Sequence, residues 1–324
     1  MQDLSSYLGQ GLLHDILIGQ LIEGKIDLLL SMGLLTTAIY VPVAMVLPYV
    51  FAFYLLLSLL EDSGYLPRLS TLIDSFMHRV GLHGLAIIPM MLGMGCNVPG
   101  VMSTRILESR KQRFIVITLL SIAIPCMAQT AMIFGLLGRY GIQALGIVFL
   151  TLAVVWILIS LMLNRLIKGG IPETFIEITP YRIPKVNITA KKVYWRMKGF
   201  MKEAIPFMLL GVLIVNILYI LDIITWLAGM AGPLVSRFLG LPGEAVSSLL
   251  IGFLRKDMAM GMLLPLGLTM KQMIIASVVL TMYFPCIATF VIIFKELGFR
   301  DTLKSTALMI ASTLLVGGIL NLVL

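Results

Sequence analysis

The chain has 324 residues, of which 59% are hydrophobic and 12% charged, and it carries a formal net charge of +8. A soluble domain holds roughly 25% charged residues, so this composition excludes an ordinary soluble enzyme and predicts a polytopic membrane protein. The basic excess does not point to nucleic acid, because Lys and Arg gather in short loops between apolar runs, where they set topology and meet anionic lipid.

Residues 8–22 are amphipathic and too polar to span, so an interfacial helix is expected within an N-terminal segment 1–25. No cleavable leader is expected, since this segment carries Asp3, Asp15 and Glu23 and lacks a basic n-region. Gly19 to Ile26 approximates a phosphate-binding loop but lacks the Ser/Thr for Mg²⁺ and has no preceding strand, so that reading is rejected. Ile26 to Leu60 is apolar and longer than the ~20 residues of a straight span. Pro42 and Pro48 make it a kinked span, or a half-helix followed by a span. Residues 61–80 read as a polar, amphipathic interfacial loop. The segment 81–104 follows, apolar yet broken by Pro89, Pro99 and Gly93, Gly95 and Gly100. Backbone freed from a helix at membrane depth is tolerated only where protein or a water-filled cavity satisfies it, so this stretch, with Cys96 and Asn97 at its centre, predicts a substrate path.

After the basic loop Arg105–Arg113, spans are expected over 114–138, interrupted by Pro125-Cys126, and over 141–167. The polar, basic linker 168–203 separates a first repeat, 26–167, from a second, 204–324. The second repeat holds a span over 204–229 with Asn216 and Asp222 embedded. A second broken segment, 245–268, carries Arg255-Lys256-Asp257, and spans follow over 273–294, containing Pro285-Cys286, and over 304–324. Lys111-Gln112 precedes Pro125-Cys126 by the same spacing as Lys271-Gln272 precedes Pro285-Cys286. Interrupted helices at matching places in two halves point to a transport site at the repeat interface.

Charge selects among topologies. With both broken segments as re-entrant hairpins, the loops 61–80, 105–113, 165–203 and 295–304 share one face and hold 18 of the 24 Lys/Arg. The opposite face holds Lys25, Arg139, Arg237 and Lys271. If the second broken segment spans instead, the division is 16 to 6, so hairpins, a cytoplasmic linker and an inverted repeat are favoured. The expected fold is therefore an all-α polytopic membrane protein, an inverted repeat of about three spans plus one re-entrant hairpin per half.

The chemistry follows from the breaks. Cys96, Cys126 and Cys286 all lie in apolar stretches, an odd intramembrane set unlike a disulfide framework. Thiol, carbonyl and carboxylate suit a borderline-soft divalent cation, and transport needs partial, exchangeable ligation rather than a closed cage. The metal candidates are Cys96, Asn97, Cys126, Cys286 and Asp257, with Gly95, Pro99, Pro125, Pro285 and Lys256 as gating or structural residues. Cys126 and Cys286 are also compatible with helix kinking, Arg255-Lys256-Asp257 with an internal ion pair, and Glu61 and Asp62 with a solvated helix end. The numerous methionines read as core filler. The three histidines, His14, His78 and His83, show no ligand-cluster spacing, and no catalytic constellation is visible, so a transporter rather than an enzyme is expected.

LEDSGYLPR (Leu60–Arg68), IPMMLGMGCNVPGVMSTRILE (Ile88–Glu108), GFLRKD (Gly252–Asp257) and YFPCIAT (Tyr283–Thr289) closely resemble the membrane, or Gate, domain of FeoB-type ferrous iron transporters, over nearly the whole chain. The region around Cys126 departs from it, reading PCMAQTAM where the family more often has a Ser-Cys-Ala-Arg type sequence. The resemblance implies Fe²⁺ as transported substrate with no permanently bound cofactor, a gating role for Glu61 and Asp62 within LEDSGYLPR, and a multi-pass protein of a prokaryotic inner membrane. As partners it implies the lipid bilayer, a separate cytosolic GTP-binding protein, a small FeoA-like accessory protein and a homo-oligomer, with no nucleic acid. Two rivals remain at this point: a nucleoside or other small-solute transporter of the same architecture, and a non-transporting membrane scaffold.

Overall fold

The computed structural model describes residues 21–22, 25–26, 47–167, 184–185, 187–199, 201–202, 206, 238–243, 245–252, 259, 263 and 266–323. These are almost entirely helical: α1 (Leu47–Asp62), α2 (Tyr65–Arg79), α3 (Ile87–Gly95), α4 (Asn97–Ser103), α5 (Arg110–Ile122), α6 (Met127–Leu137), α7 (Ile142–Leu166), α8 (187–199), α9 (Ala245–Gly252), α10 (Met270–Met282), α11 (Ile287–Leu297) and α12 (Phe299–Val323). The fold is that of an all-α polytopic membrane protein. Of the expected interfacial helix 8–22, only Leu21–Ile22 lies within the described residues. That pair does not join a helix but ladders antiparallel with Lys25–Ile26. The expected span 204–229, with Asn216 and Asp222, lies outside the described residues apart from residue 206.

Four helical stretches among the described residues are long and apolar enough to cross a membrane: Arg110–Tyr140, Ile142–Leu166, Met270–Leu297 and Phe299–Val323. The first and third each contain a break. Among the described residues the broken stretches are the more deeply packed: 61% and 56% of their most apolar 18-residue windows is buried, against 28% and 22% for the unbroken ones. Sequence explains the difference. From Phe114 to Ile122 and from Met273 to Met282 every residue is buried, and such all-round apolar helices belong in a core. Apolar side chains gain little by leaving lipid for protein, so small polar contacts add specificity. Thr118 and Ser305 hydroxyls meet at 3.1 Å across α5 and α12.

The segment 61–80, expected as a loop, is instead mostly the amphipathic helix α2, because Leu66, Ser70 and Met77 recur at helical spacing and bury one face.

Where both are described, the two halves are built alike. α5 and α10 have 13 residues each, α6 and α11 have 11, and α7 and α12 have 25. Lys111 Nζ donates to the Asn164 carbonyl at 3.2 Å, and Lys271 Nζ to the Asn321 carbonyl at 2.7 Å. Gly81 and Gly240 both adopt positive φ, +86° and +65°, and each packs directly on one of those asparagine side chains. A Cβ at either would therefore be both strained and obstructed. The broken units run antiparallel. At one end Arg113 pairs with Glu296 at 2.8 Å and Arg110 with Asp301 at 2.9 Å, joining the start of α5 to the end of α11 and the start of α12. At the other, the Tyr140 hydroxyl donates to the Leu268 carbonyl at 3.2 Å, joining the residues after α6 to those before α10.

Candidate functional site

The site is assembled from three interruptions of helix. In the first, α3 and α4 are nine and seven residues long, about 14 and 10 Å, against the ~30 Å of a bilayer core. The chain reverses between them at Cys96, which is extended at φ −150° and ψ 132°. The reversal is tight because glycine faces glycine. A Cβ on Gly100 would lie 2.8 Å from Gly93 Cα and 3.1 Å from the Pro89 carbonyl oxygen. Gly95 has no more room, since Phe53 of α1 occupies the place of its Cβ. Pro99 sits in the first turn of α4, where its missing N–H removes no helical bond.

The second and third interruptions are copies of one another. α5 ends where Ala123 N–H donates to the Leu119 carbonyl, and α10 where Tyr283 N–H donates to the Val279 carbonyl. Three residues later come Cys126 and Cys286, each immediately after a proline and each the N-cap of the next helix. Pro125 and Pro285 prevent the ladder from continuing, which leaves the last carbonyls of α5 and α10 without intrahelical partners. The residue three places on supports each cysteine. Gln129 Oε1 accepts from the Cys126 N–H at 3.2 Å, and Thr289 Oγ1 lies 3.1 Å from Cys286 Sγ.

All three cysteines thus stand at helix N-caps, and the hairpin that carries Cys96 packs against both α6 and α11, the helices that Cys126 and Cys286 cap. No disulfide joins them. Asn97 is buried, and its side-chain oxygen has no hydrogen-bond partner among the described residues, as is true of Gln129 Nε2. Thiols, a partnerless buried amide oxygen and carbonyls released at proline breaks form a donor set suited to a borderline divalent cation. Asp257 and Lys256 lie outside the described residues.

Tyr54, which the sequence reading did not single out, belongs to this neighbourhood. It is buried on α1 with its hydroxyl in electrostatic reach of Cys96 and of the Arg196 guanidinium. Nothing in the sequence distinguishes it from Tyr49, five residues earlier on the same helix. Glu61 and Asp62 are not simply a solvated helix end. Arg196 of α8 donates to Glu61 Oε2 at 2.7 Å and to Ser58 Oγ at 3.2 Å, while Asp62 holds Lys192 and accepts from Thr189 Oγ1 at 2.7 Å. These contacts dock the linker helix on α1, one to two turns from Tyr54.

Burial alone would raise the Asp62 pKa, but the Lys192 and Thr189 hydrogen bonds and the Lys192 and Arg196 charges outweigh it and hold the carboxyl below its ordinary value. A carboxylate with a depressed folded-state pKa contributes stability that is complete above its unfolded value, ~3.9, and is lost as pH falls through the folded one. Hydrogen exchange over 187–199, corrected for intrinsic rates, is therefore expected to stay slow from pH 7 to about 5 and to accelerate below about pH 4. Asp62→Asn should be fast throughout, and equal protection in the variant would exclude this docking.

The expectation that the histidines form no cluster is corrected. His78 Nε2 lies 3.3 Å from Asp74 Oδ2, and His83 Nδ1 lies 3.6 Å from Asp74 Oδ1. The chain turns back after α2, so residues five apart meet although they do not share a helix face.

Comparison with known proteins gives two family matches. The Gate family, described as nucleoside recognition, matches residues 43–140 and again 201–300, one copy per half, and the ferrous iron transport protein B C terminus matches residues 145–196. The Fe(2+) transporter FeoB of Methanocaldococcus jannaschii is 28% identical over 282 residues, covering 75% of this chain and 42% of that protein. The FeoB of Staphylococcus aureus is 26% identical over 316 residues, covering 85% and 46%. An Fe(2+) transport protein A/Fe(2+) transporter FeoB fusion protein of Porphyromonas gingivalis is 37% identical over 143 residues, covering 43% and 17%. The chain spans less than half the length of these curated relatives. No solved structure matches it.

Proposed function

From the premise that this chain belongs to the Gate family and carries the FeoB C-terminal region, we propose that it moves Fe²⁺ across a prokaryotic inner membrane. The path runs past Cys96, Cys126 and Cys286. What supports the reading is that three thiols stand at three helix breaks, with the hairpin that carries Cys96 packed against the helices that Cys126 and Cys286 cap. Such ligands are partial and exchangeable, which is what a transported ion requires. A thiol must lose its proton to ligate, so passage of the ion is linked to proton release.

In this reading α3–α4 is a re-entrant hairpin, and the antiparallel broken units are the two arms of an inverted repeat. The loops 105–113 and 295–304, joined by ion pairs, lie with the linker on the cytoplasmic side. The name of the P. gingivalis relative supports an FeoA-like accessory protein as a partner.

The test is uptake by vesicles containing the purified chain, measured for Fe²⁺, Mn²⁺, Zn²⁺ and a nucleoside. Uptake of Fe²⁺ in preference to the nucleoside is expected. Nucleoside uptake without metal uptake would transfer the site to the family's other described substrate class, and no uptake of any of them would favour a scaffold.

A further inference from the structure

The cluster Asp74, His78 and His83 lies apart from the thiols and is not used by the path. Asp74 and His78 are one helical turn apart on α2 and so share a face. At the end of α2 the Gly81 N–H donates to the His78 carbonyl at 3.1 Å and the Leu82 N–H to the Met77 carbonyl at 2.9 Å. This is the paired closure that a left-handed residue makes possible, and it turns His83 back onto the helix. The return is fixed by the next residue. Gly84 N–H donates to Asp74 Oδ1 at 2.6 Å, and a side chain on Gly84 would strike the Ser70 carbonyl oxygen at 2.2 Å. The carboxylate is thereby oriented by backbone, with its other oxygen toward His78.

We propose that these three side chains hold a divalent first-row transition cation. One ligand atom from each residue lies within 4.8 Å of the others, and the nitrogens that face the carboxylate are His78 Nε2 and His83 Nδ1. Two imidazoles and one carboxylate occupy one face of an octahedral ion and leave the opposite positions to water, the arrangement that suits Fe²⁺ and its neighbours. His83 exchanges the 3.2 Å hydrogen bond from the Leu85 N–H for the ion and keeps its proton on Nε2. His83 is almost fully buried and His78 is 42% exposed, so the ion is gripped from the protein side and exchanges from the solvent side.

The position sets the role. Val80 accepts from Ser160 near the end of α7, and Gly81 packs on Asn164, whose carbonyl holds Lys111. The cluster therefore lies at the end of the bundle where the basic loop begins, away from the helix breaks. There it is a station for the transported ion on leaving or entering the thiol path. This last clause rests on the iron-transport reading, whereas cation binding does not.

The experiment uses Co²⁺ and the full chain in detergent, with Cys96, Cys126 and Cys286 all changed to Ser and the fold checked by circular dichroism. One Co²⁺ per chain should bind, with the weak visible bands of nitrogen and oxygen ligands and no thiolate charge-transfer band. His78→Gln, on a half-exposed side chain, should weaken binding at least about tenfold, and Asp74→Asn, which retains an acceptor for Gly84, should do the same. A thiol-free chain that binds no Co²⁺, or a His78→Gln variant that titrates like its parent, overturns the site. Fe²⁺ uptake by the His78→Gln chain with its native cysteines then tests the role. Reduced flux supports the station, and undiminished flux with Co²⁺ binding lost overturns it. Uptake by the unmodified chain tests the transport reading separately.

Discussion

Cys96→Ala is expected to abolish Fe²⁺ flux in vesicles while the protein still folds and reaches the membrane. Alanine removes the sulfur and leaves at most a small void, a packing cost of only ~1 kcal/mol. The reversal at Cys96 is set by the backbone, since its N–H donates to the Leu92 carbonyl at 3.0 Å and no side-chain cap is made there. A cysteine that only packs would let uptake follow protein abundance in Ala and Ser variants alike. A ligand behaves differently: Ser substitutes a harder oxygen and should shift selectivity toward Mn²⁺, whereas Ala should lose flux for every ion by at least about tenfold. Changes at Cys126 and Cys286 should act in the same direction with smaller size, because freed carbonyls remain at those breaks. Wild-type flux per folded Cys96→Ala molecule would remove the ligand role and move the path onto backbone carbonyls.

Much of this arrangement was legible in the sequence because proline, glycine and cysteine act locally. Pro125-Cys126 and Pro285-Cys286 announce their breaks without tertiary information, and their equal distance from Lys111 and Lys271 exposes the duplication. The structure then shows what the lysines do in both halves, which is to hold the end of a 25-residue helix by the carbonyl of an asparagine. What the sequence did not disclose depends on contacts between distant segments. Glu61 and Asp62 read as a solvated helix end because their partners, Thr189, Lys192 and Arg196, stand more than 120 residues away. Tyr54 is conspicuous only once α1 is packed beside Cys96. His78 and His83 fail every helix-spacing test, and their meeting depends on the left-handed turn at Gly81.

Gly100→Ala should be the most damaging single methyl group that can be added to the helical hairpin. Its Cβ would lie 2.8 and 2.9 Å from Gly93 Cα and N and 3.1 Å from the Pro89 carbonyl. All three are backbone atoms, so no side-chain rotation relieves the contact, and α3 and α4 must separate. Overpacking of this kind costs about 1–3 kcal/mol, and an obstruction made wholly of backbone belongs at the upper end. Gly252→Ala meets Leu280 Cδ2 at 2.8 Å and Ala259 Cβ at 3.1 Å, both side-chain atoms. Rotation of the leucine relieves the first, so the loss should be smaller. Gly135→Ala has no heavy atom within 4 Å of its new Cβ and replaces a glycine inside α6, a change worth up to about 1 kcal/mol in favour of the helix. Thermal unfolding in detergent should therefore rank Gly135→Ala at or above wild type, Gly252→Ala below it and Gly100→Ala lowest. Separation of the hairpin also displaces Cys96 from the other two thiols, so Fe²⁺ flux in Gly100→Ala should fall further than its folded fraction. A Gly100→Ala protein that melts with wild type and transports normally would show that α3 and α4 do not pack glycine against glycine.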